Sequence, residues 1–89
     1  MLIRGFQWDI ANVEHVQGHG MRPEEVEEVL TGRTVAVYRA KRGRYVAYGQ
    51  TLGGRYLFVV FERRAGGAVR VITAREQTRR ERRTTSRKR

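Results

Sequence analysis

The chain has 89 residues, no cysteine and a net charge of +10, carried by 17 arginines and two lysines against nine carboxylates. That length suits a single domain with a thin core, and the missing cysteines exclude a disulfide framework and a thiolate metal site. No run approaches membrane-spanning length and the first five residues lack the apolar core of a secretory signal, so a soluble cytoplasmic protein is expected.

Leu2 to Trp8 is short, apolar and aromatic, and reads as an edge strand or an extended lead-in. Asp9 is suited to cap a first helix, on which Ile10, Val13 and Val16 recur at helical spacing. That helix ends near Gly18-His19-Gly20, where glycine takes the left-handed closing conformation. Arg22-Pro23-Glu24-Glu25 opens a second helix, with proline in the first turn and glutamates at the positive end of the dipole. Val26, Val29 and Leu30 form its buried stripe, and Gly32 stops it.

The period then changes from helix to strand. Val35 to Tyr38 reads as a strand, Arg39 to Gly43 as a basic turn, and Arg44 to Gly49 as the returning strand. After a turn at Leu52 to Arg55, the continuous run Tyr56 to Phe61 suits a central strand covered on both faces. Ala65-Gly66-Gly67 turns the chain into Val69 to Ala74, which passes directly into an arginine-rich helix. On that helix Arg75, Arg79 and Arg82 fall at i, i+4 and i+7 and share a face, and Glu76 can pair with Arg80. The expected fold is α+β: two N-terminal helices, a four-stranded mainly antiparallel sheet and a C-terminal basic helix. Residues 1–83 form the domain, and residues 84–89 a basic flexible tail.

The positive charge is crowded toward the C-terminus. Residues 1–32 carry two cations against six carboxylates, residues 33–62 six against one, and residues 63–89 eleven against two. Such an imbalance implies a polyanionic partner, and arginine in particular makes forked contacts with phosphate. Cleavage of RNA without a metal uses the RNA's own 2′-hydroxyl against the adjacent phosphorus. The protein must then hold the phosphate, stabilise its equatorial oxygens and manage two proton transfers. Arg75, at the junction of strand and helix, is the best placed cation. His19 is the candidate acid or base, with Glu25 and Glu81 behind it. Plain phosphate tethering without turnover, or docking of an acidic protein, would use the same arginines.

His19 has a structural reading too, as a helix-end residue bonded to a carbonyl. His15 and His19 are four apart but have no third ligand nearby in sequence, so no metal or other cofactor is expected. Tyr38, Tyr45, Tyr48 and Tyr56 offer rings to bases, although sheet packing accounts for most of them.

Phe6-Gln7-Trp8-Asp9, His19-Gly20 with Glu24-Glu25, Arg44-Tyr45, Gly49 and Gly54-Arg55-Tyr56-Leu57 stand in an order and spacing that resemble the BrnT family. Val59-Val60-Phe61 and the closing block Arg70-Val71-Ile72-Thr73-Ala74-Arg75, with Thr78 and Glu81-Arg82, extend the resemblance to residue 83. It implies a RelE-like ribonuclease toxin of a type II toxin–antitoxin system. The implied partner is a small DNA-binding antitoxin of ribbon-helix-helix type (BrnA-like), with operator DNA reached only through it. On that reading His19, Arg75, Arg79, Glu81 and Arg82 are catalytic, and Arg44, Arg55, Arg70, Arg80 and Arg83 bind RNA. The family's Asn-x-x-Lys-His-Gly reads His15-Val16-Gln17-Gly18-His19-Gly20 here, Pro23 replaces an aromatic, and the region of Thr84-Thr85 replaces a tyrosine. These departures keep a second reading open, a non-catalytic nucleic-acid-binding module derived from the same fold.

Overall fold

A computed structural model describes the backbone of residues 2–87 and the side chains of residues 2–83. Eight main elements follow in order: β1 (Gly5–Phe6), α1 (Ile10–Gly18), α2 (Pro23–Leu30), β2 (Ala36–Arg39), β3 (Arg44–Gln50), β4 (Tyr56–Arg63), β5 (Ala68–Glu76) and α3 (Arg79–Arg87). The sheet runs β1-β5-β4-β3-β2. Its last four strands form the expected antiparallel meander, but β1 adds to β5 in parallel, with Gly5 opposite Ala68 and Phe6 opposite Val69. The sheet is therefore five-stranded and mixed rather than four-stranded. The lead-in is held there by backbone bonds, from Arg4 N–H to the Gly67 carbonyl and from Gln7 N–H to the Val69 carbonyl, each 2.8 Å.

One face of the sheet carries the core. Ala47, Leu57, Val59, Phe61, Val69, Val71 and Ala74 are at most 2% exposed, and Val16, Met21, Val26, Val29 and Leu30 close over them. Gly49 lies on this face, where a β carbon would come within 2.9 Å of Val29 Cγ1. Glycine there lets α2 lie close against β3.

The other face is more open. Opposite residues of a ladder share a face, so Tyr48, Phe58 and Arg75 stand in one row across β3, β4 and β5. Tyr48, Phe58 and Val60 are only partly buried. The expectation that β4 is covered on both faces thus fails for Tyr56, Phe58 and Val60. Guanidinium groups cover two of these residues, with Arg75 of β5 4.3 Å above the Phe58 ring and Arg82 of α3 4.8 Å above that of Tyr56.

Helix α1 begins as the sequence suggests. Asp9 accepts from Asn12 N–H at 3.2 Å, and Asn12 Oδ1 accepts from Asp9 N–H at 2.7 Å, a reciprocal capping box. This box turns Asn12 and Val16 toward the sheet and leaves Ile10 77% exposed, so Ile10 is not part of the buried stripe. At the far end Met21 N–H bonds the Val16 carbonyl and Gly20 N–H that of Gln17, with Gly20 at φ +80°. That is a Schellman closure, and it fixes His19 as the last residue before the chain reverses. Helix α3 continues to Arg87, so four residues expected in the tail have helical backbone, while residues 88–89 lie outside the described residues. Among the described residues no helix is long and apolar enough to cross a membrane.

Candidate functional site

Two residues of β1 cannot cover the whole edge of β5, and α1 completes the task with side chains. Beyond the Val69 carbonyl, Asn12 Nδ2 donates to the Val71 carbonyl at 3.0 Å, and His19 Nδ1 meets the Ala74 carbonyl at 2.9 Å. The Asn12 amide also donates to the Gln7 carbonyl at 2.9 Å, so both of its nitrogen protons have partners. A carbonyl can only accept, so the His19 contact places a proton on its Nδ1. That leaves Nε2 as the ring nitrogen not tied to the Ala74 carbonyl. The capping role read for His19 is real, but the carbonyl belongs to β5 and not to its own helix. Thr73 Oγ1 lies 3.5 Å from the same Nδ1. Thr73 and Arg75 stand two apart on β5 and emerge on one face about 7 Å apart.

The helical face expected of Arg75, Arg79 and Arg82 does not form. Strand β5 stays paired through Arg75 opposite Phe58 and Glu76 opposite Leu57, and α3 begins only at Arg79. Its start is set by Thr78 and Glu81. Thr78 N–H donates to Glu81 Oε1 at 2.8 Å, and Glu81 N–H to Thr78 Oγ1 at 3.2 Å. Thr78-x-x-Glu81 is a capping-box signature, so this boundary was readable from sequence. Gln77, 8% exposed, anchors the link by donating its backbone N–H to the Tyr56 carbonyl and its side-chain amide to that of Leu57, both at 2.9 Å.

These constraints bring Arg75, Glu81 and Arg82 together on the open face. Arg75 Nη1 and Nη2 donate to the two Glu81 oxygens at 2.8 and 3.1 Å, and Nη1 also reaches the Glu76 carbonyl at 3.1 Å. A fork on a carboxylate above an aromatic ring leaves the guanidinium little freedom. The hydrogen bond from Arg75 holds the Glu81 carboxyl below the usual carboxylate range, with the Thr78 N–H adding to the effect. Glu81 therefore stays ionised near neutrality and can accept a proton but has none to donate.

Arg55 lies in a different network. Its Nη1 donates to Glu25 Oε1 and Oε2 at 3.1 and 3.0 Å and to the Gly20 carbonyl at 3.2 Å, while Nε and Nη2 each reach Glu76 at 3.2 Å. Glu76 thus pairs with Arg55 across the chain. Glu25 also caps α2 through Arg22 N–H, and that bond, reinforced by Arg55, keeps its carboxyl low. Arg55, Tyr56, Glu76 and Arg82 border a shallow polar cleft.

Arg44 and Arg70 sit on the open face at its other end, opposite the two sides of Glu62. Arg44 approaches Glu62 at 3.5 Å, whereas Arg70 forks onto Asp9 at 2.8 and 3.4 Å and lowers the pKa of that carboxyl. Arg79, Arg80 and Arg83 are exposed on α3. Tyr45 faces the core side and stacks on Phe61, so it is a packing residue. The rings of His15 and His19 meet edge to face at 5.2 Å. Among the described residues no three His, Asp or Glu side chains gather as a metal site. Sequence reasoning overlooked Asn12, Phe58 and Gln77, which support the site. Asn12 falls three residues after the N-cap and carries a sequence signal, while the place of Phe58 beneath Arg75 depends on cross-strand register.

A family model described as the ribonuclease toxin BrnT of type II toxin–antitoxin systems matches residues 8–81. Among solved structures, the chain is similar to the 1.1 Å crystal structure of the Brucella abortus ribonuclease toxin BrnT. The TM-score is 0.69 at 23% identity, over 84% of this chain and 97% of that one, a likeness of fold. A comparison with curated proteins gives no match.

Proposed function

The chain belongs to the BrnT family of type II toxin–antitoxin ribonuclease toxins, and we propose that it cleaves RNA itself, in the cytoplasm and without a metal. Membership of such a system implies an antitoxin partner. The antitoxin is here taken to be a ribbon-helix-helix protein that neutralises the nuclease and alone contacts operator DNA.

The observation that carries the reading is the fixed Arg75 guanidinium on an open face, one strand position beyond the Ala74 carbonyl that orients His19. Arg75 would hold the scissile phosphate and stabilise charge on its equatorial oxygens as the 2′-oxygen attacks. Arg82 and Arg79 would hold flanking phosphates, with Arg80 and Arg83 adding to the field of α3. The 2′-hydroxyl loses its proton as the new P–O bond forms, and the leaving 5′-oxygen must gain one as the old bond breaks. With Nδ1 tied to a carbonyl, His19 Nε2 suits the donor role. Glu81, kept ionised by Arg75, serves as a proton acceptor or simply as the group that aims the guanidinium. Arg55 supports the Gly20 closure more than it contacts RNA, and Arg44 and Arg70 extend the track at its far end.

The test is incubation of the antitoxin-free protein with total RNA in EDTA. Cleavage should survive the chelator, fall about 10²- to 10³-fold with Arg75→Ala and about 10²- to 10⁴-fold with His19→Ala. Intact RNA, bound with an affinity that weakens as salt rises, would replace this reading with the non-catalytic binding module. Gly18 favours that alternative, because it stands where the family pattern has a lysine.

A further inference from the structure

We infer that the open sheet face carries a base-stacking platform, the rings of Tyr38 and Tyr48 beside Arg75, so that the RNA must be single-stranded where it crosses the sheet. The inference rests on the nuclease reading only for the identity of the polymer. The row itself is a matter of geometry.

Tyr48 stands directly opposite Phe58, and Phe58 directly opposite Arg75, while Tyr38 lies diagonally across β2 from Tyr48. Ring centroids are 6.1 Å apart between Tyr38 and Tyr48 and 5.2 Å between Tyr48 and Phe58, and the Arg75 guanidinium completes the row 4.3 Å above Phe58. Strands lie about 4.8 Å apart, so the row spans roughly 14 Å across four strands. The Tyr38 and Tyr48 rings meet at 72° and those of Tyr48 and Phe58 at 52°, so each tyrosine offers its own face to a base, while Phe58 seats the Arg75 guanidinium.

Packing alone does not account for this row. The core lies on the opposite face, whereas Tyr38 is 38% exposed and Tyr48 beside it is part-buried. A sheet that presents aromatic rings beside fixed cations matches the chemistry of a nucleotide, a flat base joined to an anion. Two unpaired bases fit the two tyrosine rings. A duplex keeps its bases stacked on one another and offers the sheet only its backbone. An acidic protein would match the cations but has less use for the rings.

The test measures binding by the His19→Ala full-length protein, which binds without turnover if the nuclease reading holds. The probes are a fluorescent twelve-nucleotide RNA of mixed, G·C-containing sequence without internal complementarity, alone and annealed to its complement, over a range of salt at which the duplex stays formed. The single strand should bind at least tenfold tighter than the duplex. Tyr38→Ala and Tyr48→Leu should each weaken single-strand binding about 5- to 100-fold and leave the salt slope unchanged, because they remove a ring and no charge. Arg75→Ala should instead flatten the slope by about 0.7. Tyr48→Phe, which keeps the ring, should bind as the parent does, and this separates stacking from a general loss of fold.

Equal affinity for duplex and single strand, or tyrosine variants that bind like the parent, would overturn the platform. So would variants that lose the antitoxin but keep RNA, since the row would then be a protein-docking surface. The nuclease reading is judged separately by cleavage with the His19-containing protein. Ring-dependent binding without any cleavage would sink that reading and leave the platform standing.

Discussion

Replacing Glu81 with glutamine tests the junction on which the site depends. Glu81 accepts two bonds from Arg75 and one from Thr78 N–H, so it ties α3 to β5 and caps the helix at once. Glutamine keeps one acceptor oxygen and presents an NH₂ group to a donor. The Arg75 side chain is 41% exposed and that of Glu81 21%, and water therefore screens the pair to about 0.5–1 kcal/mol. The weakened cap adds about 0.5 kcal/mol, for a total near 1–1.5 kcal/mol. In a domain of this size that lowers Tm by roughly 5–10 °C.

The effect has a signed pH dependence. Arg75 holds the folded-state pKa of Glu81 below the ordinary 4.5. Its contribution is therefore complete above the unfolded-state value and is lost as pH falls through the depressed folded-state value. Thermal unfolding at pH 7 should separate parent and variant, and the gap should close as pH falls below the ordinary carboxylate range and the parent's carboxylate is protonated. A gap that persists in acid, or none at pH 7, would refute the reasoning. The same variant releases Arg75 from its counter-charge, so RNA binding at low salt should tighten even as stability falls.

Asn12→Ala strips the Gln7 and Val71 carbonyls of their side-chain donor and should cost about 2 kcal/mol, read as a lower urea midpoint at unchanged m. Gly49→Ala forces a β carbon against Val29 and should cost about 1–3 kcal/mol by the same measurement, with the full loss recovered in part by Val29→Ala. A β carbon at Gly18 would meet nothing within 4 Å, so Gly18→Lys fits without strain beside His19. It should raise Tm slightly through helix propensity and steepen the salt slope of RNA binding by about 0.7. An unchanged slope would mean that position 18 lies away from the RNA path.

Local chemistry set much of this protein without help. Asp9 before Ile10, Pro23 before paired glutamates, and Gly20 after His19 are signals carried by single side chains and backbone preferences, and the helices begin and end at them. The meander likewise follows from β-branched and aromatic runs separated by glycine-containing turns. The basic balance pointed to a polyanion, and the closing block around Arg75 pointed to the family.

Pairing between distant segments decided the rest. The capping box at Thr78 marks locally where α3 starts, but that Arg75 stays paired and stands over Phe58 is a relation no local window contains. The parallel addition of β1 rests on two backbone bonds to a strand more than sixty residues away. His19 finds the Ala74 carbonyl only because α1 lies along the unfinished edge of β5. Alternation gives each strand two faces, but only the sheet's assembly under α1 and α2 determines which rings enter the core. Tyr45 was packed against Phe61 by that assembly, while Tyr38 and Tyr48 were left on the side with the arginines.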